Sequence, residues 1–138
     1  MLADSQRRTE TLSAPDLADR KRRMREQAYP FIKAMSEASV PVVTGTDCGA
    51  EASQVTPFGH ATHREIQMFV EAGMPPLAAI RAATLDAARV LTRSDDPDYG
   101  SIRAGKAADL VLLDADPVVD INNSIRINRV MRAGRWVP

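Results

Sequence analysis

The sequence predicts an α/β protein, and two observations carry that expectation. Alanine-rich stretches with apolar residues at helical spacing alternate with short Val/Leu runs, and aromatic residues make up only 4% of the 138 residues, so small aliphatic side chains supply the apolar content. The run Val40-Pro41-Val42-Val43-Thr44-Gly45-Thr46-Asp47 does not alternate apolar with polar residues. That pattern suits a strand buried on both faces of a parallel sheet. The length is enough for one ordinary domain with a core of its own.

The elements follow in order. Residues 1–12 read as a polar lead-in. Ser13, Pro15 and Asp16 form a helix start with a cap, an early proline and an acidic first turn. Leu17, Met24, Ala28, Phe31, Ile32 and Met35 continue it at helical spacing, and Pro30 predicts a kink or two helices in series. The basic run Arg20 to Arg25 reads as the solvated face of this helix. After the 40–47 strand comes a loop over 48–61, rich in small and polar residues. Thr62 and Glu65 then have capping-box spacing, Ile66, Phe69 and Val70 give an apolar stripe, and Gly73 ends the helix. Pro76 reopens a helix through Leu77, Ile80 and Ala83, and Asp86 caps a last one through Val90 and Leu91. Beyond residue 92 the character changes to short strands and turns. These are Gly100-Ser101-Ile102, a turn at Gly105-Lys106, Leu110 to Leu113, a turn at Asp116-Pro117, and a hairpin of Asn128–Arg132 with Arg135–Val137 around Ala133-Gly134.

Composition excludes several functions. Lys and Arg number 18 and so do Asp and Glu, so the chain lacks the basic excess of a nucleic-acid binder and any electrostatic reason to sit on a membrane. No apolar run approaches the roughly 20 residues of a spanning helix, and the polar N-terminus has no signal-peptide core. One cysteine, Cys48, cannot make an internal disulfide, and the expected location is the reducing cytoplasm. Gly105-Lys106 does not complete a phosphate loop, since Ala107 stands where the Gly-x-x-x-x-Gly-Lys-Ser/Thr pattern needs its hydroxyl and no following helix is expected, so Lys106 and Asp109 are assigned structure only. Trp136 is expected to pack in the β-rich part.

Four stretches in this order resemble the C-terminal portion of the amidohydrolase superfamily: VPVVTGTD at 40–47, THREIQMFVEAGMPPLAAIRAATLDAARVL at 62–91, GSIRAGKAADLVLLDADP at 100–117 and INRVMRAGRWV at 127–137. Among its branches the likeness is nearest to imidazolonepropionase-like and prolidase-like members. The resemblance implies the C-terminal fragment of a (β/α)8 barrel over residues 1–92, with strand eight and its flanking helices, and strands of a small β-sandwich over 93–138. It implies an active site at the strand ends and one or two divalent metals, zinc foremost, that activate water for attack on an amide or cyclic amide. Asp47 matches the family's strand-eight aspartate, which is both metal ligand and general base. The bland alternative for a strand-end carboxylate is a cap or turn former.

The resemblance also exposes a gap. The family's His-x-His pair, its lysine or acidic bridge and its later histidines have no counterpart, because His60 and His63 both follow Asp47. A complete barrel takes about 250 residues, and a catalytic zinc takes three protein ligands. The chain alone is therefore expected to be inactive and to hold no metal tightly. Three situations are consistent with this: an incomplete piece of a full enzyme, a chain that completes a barrel supplied by another chain, or a non-catalytic interaction or structural module built on a barrel remnant. The expected partners are a small amide-type substrate and a homo-oligomeric or complementing chain. His63 is the candidate for substrate contact at the mouth of the site. His60 and His63 are not expected to ligate a metal together, since a loop and a capping box are expected to separate them. Cys48 lacks a base partner and reads as a small packing residue.

Overall fold

Pro30 decides how the first helical stretch is built. A proline in a helix removes one N–H and crowds the carbonyl four residues earlier. In the computed structural model, which describes residues 14–46 and 59–138, α1 (Ala14–Arg23) runs through a π-helical turn (Met24–Ala28) into α2 (Tyr29–Glu37). The Tyr29 N–H donates to the Met24 carbonyl five residues back. The widened turn eases Pro30 into the helix, so the expected pair of helices in series is present. The described side chains of α1 are all exposed, as its basic run predicts, while Ser13 lies outside the described residues.

Three further helices follow: α3 (His60–Glu71), α4 (Pro76–Ala82) and α5 (Leu85–Thr92). Ile66, Phe69, Met74, Ala79, Ala82 and Ile121 form the core, with Ile32, Val42, Val70 and Ile80 packed around it. Ala79 and Ala82, 0% and 2% exposed, keep α4 thin enough for its neighbours to close on it. Gly73, at φ 102°, turns the chain after α3, where its amide donates to the Val70 carbonyl. Tyr29 donates to Glu71 at 2.8 Å, which ties α2 to α3, and within α3 Arg64 pairs with Glu71 at 2.6 Å. The Arg64 hydrogen bond holds the Glu71 carboxyl below its ordinary value, while burial and then Glu71 push the Tyr29 phenol up. Thr84 donates to the Ile80 carbonyl at the end of α4, a helix-end role as expected. Asp86 supplies no cap. It lies in the first turn of α5 and accepts from Arg81 and Arg89 instead.

The C-terminal part is a three-stranded antiparallel sheet in the order β1 (Leu110–Leu113), β2 (Ile127–Arg132), β3 (Arg135–Trp136). Leu110 faces Met131 and Val111 faces Val130, with an irregularity after Leu112. The β2–β3 hairpin turns on Ala133 and Gly134, both at positive φ, as a two-residue turn matched to strand twist requires. Asp109 accepts the Ala133 N–H at 2.6 Å, and Lys106 and Arg103 pair with Asp96, so these residues do the structural work expected of them. Asp116 accepts the Val118 N–H and confirms the turn there. A 3-10 turn (Ile121–Ile125) places Ile121 in the helical core and joins the two parts.

Several expectations fail. Residues 100 and 101 form bends and Ile102 no regular element, so no strand forms there, and Ile102 is 87% exposed. Trp136 is 45% exposed, with the Arg129 guanidinium 5.1 Å over its ring, because no second sheet faces it among the described residues. Over 40–46 no ladder forms either. A parallel strand needs neighbouring strands, and the described residues offer none there. No helix among the described residues is long and apolar enough to cross a membrane.

Candidate functional site

The segment 40–46 leads into the candidate base, Asp47, which lies with Cys48 outside the described residues. What holds this segment is described. Val42 packs against the core. Without strand neighbours its backbone donors take other acceptors. The Thr44 N–H donates to the Ala82 carbonyl on α4 at 3.2 Å, and the Gly45 N–H donates to both carboxylate oxygens of Glu65 on α3, each at 3.0 Å. The segment is thus tethered at consecutive residues to two helices. The small residue at Gly45 is not demanded by crowding, since a Cβ there meets nothing within 4 Å.

Glu65 does not close a capping box. Helix α3 begins at His60, with Gly59 at φ 79° before it and no side-chain cap. Thr62 and Glu65 are therefore inside the helix. Glu65 sits in the second turn, where it is free to reach the 44–46 segment. The Thr-x-x-Glu spacing that suggests a cap also fits a longer helix, and only the position of its first turn separates the two.

The same earlier start changes the histidines. His60 and His63 are not separated by a loop; they occupy the first turn of α3 at i and i+3. His60 is exposed. His63 is half-buried, and its Nδ1 is shielded from solvent without a hydrogen-bond partner. Burial, and secondarily the charge of His60, lower the His63 pKa from its ordinary 6.5. Its imidazole is therefore held toward the neutral form, which both donates and accepts hydrogen bonds. An unsatisfied buried ring nitrogen calls for a ligand group or a bridging water.

Among the described residues no group of three or more His, Cys, Asp or Glu side chains is placed to hold a metal ion. Glu65 has its carboxylate on a backbone amide, and the two histidines alone fall short of the three ligands a catalytic zinc takes. The described residues do not themselves compose the metal site that the family resemblance implies.

Comparison with known proteins supplies the wider frame. The family model described as "Amidohydrolase family" matches residues 2–137. The imidazolonepropionase of Shouchella clausii (strain KSM-K16) is 36% identical over 110 residues, covering 76% of this chain and 23% of that protein. The adenine deaminase of Methylobacterium nodulans is 40% identical over 79 residues, covering 57% of this chain and 12% of that protein. Among solved structures, molinate hydrolase aligns with TM-score 0.66 and 33% identity over 77% of this chain and 25% of that one. A Xaa-Pro dipeptidase with methionine bound in its active site aligns with TM-score 0.68 and 31% identity over 81% and 26%. The chain spans about a quarter of the length of the imidazolonepropionase and of both these solved structures.

Proposed function

The chain belongs to the amidohydrolase family, and from that membership we propose that it is the C-terminal portion of a metal-dependent hydrolase of C–N bonds in small amides or cyclic amides. The observation that carries this reading is the match of residues 2–137 to the family, joined to relatives and structural neighbours named as hydrolases, a dipeptidase and imidazolonepropionases. Barrel architecture around the 40–47 segment, with 93–138 as sandwich strands, belongs to the same reading, as does a cytoplasmic location.

Asp47 is the general base in this scheme. It takes a proton from the water that attacks the carbonyl carbon, a role that contributes about a hundredfold to ten-thousandfold in rate. His63, neutral and with one ring nitrogen unsatisfied, contacts the substrate near the mouth of the site. A divalent metal such as zinc, when bound by ligands from the rest of the enzyme, lowers the pKa of water and polarises the carbonyl. The chain alone has no turnover in this proposal, and its missing ligands come from upstream sequence or from a complementing chain.

The first test is the coding sequence upstream of Met1. An uninterrupted frame carrying a His-x-His pair is expected; an intact frame without one leaves only the complementing chain, and no co-purifying partner with no activity on reconstitution then sinks the proposal. The second test assays the resulting protein on a panel drawn from the relatives, namely an imidazolonepropionate, molinate and a Xaa-Pro dipeptide. At least one is turned over, and Asp47→Asn lowers kcat by about a hundredfold or more. A soluble, cooperatively folded 138-residue chain with no turnover under any complementation would favour a non-catalytic module instead.

A further inference from the structure

Glu65 has no Lys or Arg one helical turn away, where Ala61, Thr62, Met68 and Phe69 stand, and Arg64 beside it on the same helix is paired with Glu71. Instead it turns both oxygens onto one backbone N–H, that of Gly45, at 3.0 Å each, across a gap of 20 residues in sequence. Holding a long side chain there costs rotamer freedom. The charge-assisted bond and the unmet donor offset that cost. Gly45 precedes Asp47 by two residues, and the Thr44 N–H is held by Ala82 immediately before it.

We propose that Glu65 is a positioning residue for Asp47: its carboxylate clamps the Gly45 amide on α3 and so anchors the backbone from which the general base departs. The proposal rests on the reading of Asp47 as that base. Residues that orient a reacting group repay small displacements with large rate changes, and a misplacement of about 1 Å costs about a hundredfold. A merely structural carboxylate would change melting temperature and leave turnover alone.

The test compares Glu65→Leu, Glu65→Gln and Asp47→Asn with the unsubstituted protein, each as the complete enzyme with its upstream sequence or complementing chain. Amide hydrogen exchange at Gly45 is followed by NMR, and kcat and KM are measured on whichever panel substrate is turned over fastest. Glu65→Leu is expected to speed Gly45 exchange by about tenfold or more, with the amides of α4 unchanged, and to lower kcat by about ten- to a hundredfold with KM within about twofold. Glu65→Gln keeps an acceptor oxygen and is expected to recover most of both, and it carries the comparison if the leucine variant fails to fold. Unchanged Gly45 exchange in Glu65→Leu overturns the clamp. Unchanged kcat in Glu65→Leu beside an inactive Asp47→Asn overturns the positioning role alone. Full turnover in Asp47→Asn removes the base on which the proposal stands, and the positioning role falls with it, whatever the exchange data show.

Discussion

Gly100→Ala is the substitution whose cost the structure sets most directly. Gly100 has φ 88°, a region that an L side chain enters at a cost of roughly 1–2 kcal/mol. A Cβ built there would lie 2.8 Å from the Thr84 carbonyl oxygen and 3.0 Å from both the Ala88 Cβ and the Leu85 Cα. Two of these three are backbone atoms at the start of α5, so the clash cannot be relieved by turning a side chain. Overpacking of this kind adds about 1–3 kcal/mol, for a total of about 2–5 kcal/mol. At about 4 °C per kcal/mol for a chain of this length, the melting temperature falls by about 8–20 °C. Gly134→Ala is the control. Gly134 has φ 76° but nothing within 4 Å of the added carbon, so it carries the conformational cost alone, about 4–8 °C. Thermal unfolding followed by circular dichroism separates the two. If Gly100→Ala melts within about 2 °C of Gly134→Ala, the close approach of the 100-turn to α5 is wrong.

Two further outcomes can be checked on the same protein. The His63 pKa is lowered in the fold, so the unfolded chain binds the proton more readily. The stability it contributes is complete above pH about 6.5 and is lost as pH falls through the folded value. The Glu71 contribution, whose pKa is lowered from 4.5, begins to fade only below that pH. The melting temperature should therefore decline between pH 7.5 and 5 in the parent and decline less in His63→Gln; equal slopes would contradict the burial of this imidazole. In the hairpin, Ala133 holds φ 48° without a glycine's freedom. Ala133→Asn, which makes an Asn-Gly turn, is expected to add about 0.5–1 kcal/mol, and Asp109→Ala to remove about 1 kcal/mol by freeing the Ala133 amide. Urea titrations of both variants measure these changes, and opposite signs would show that the turn is held otherwise.

Membership in a family of hydrolases was legible from short motifs, because turn and strand-end chemistry leaves a local record. Asp116-Pro117, the Ala133-Gly134 hairpin and the helix restart at Pro76 depend on residues adjacent in sequence, and each formed where its residues predict. The strand over 40–47 could not be secured in this way. Its apolar pattern is that of a buried parallel strand, but a ladder is a property of neighbours. Within the described residues 40–46, Thr44 and Gly45 instead donate their amides to Ala82 and Glu65. Residues 100–102 failed as a strand for the same reason, and Trp136 lies open because packing needs an opposing layer.

The sequence by itself determined the family, the aspartate that ends the Gly-Thr-Asp run, and the absence of enough histidines for a complete metal site. Those are matters of residue identity and order, which no folding step alters. Only the tertiary structure decided where α3 begins. That start puts His60 and His63 on one helical turn and turns Glu65 from a cap into the acceptor of a distant amide. A helix boundary shifted by a few residues decides which side chains are caps and which stand inside the helix, and contacts across 20 residues arise only once two elements are packed together.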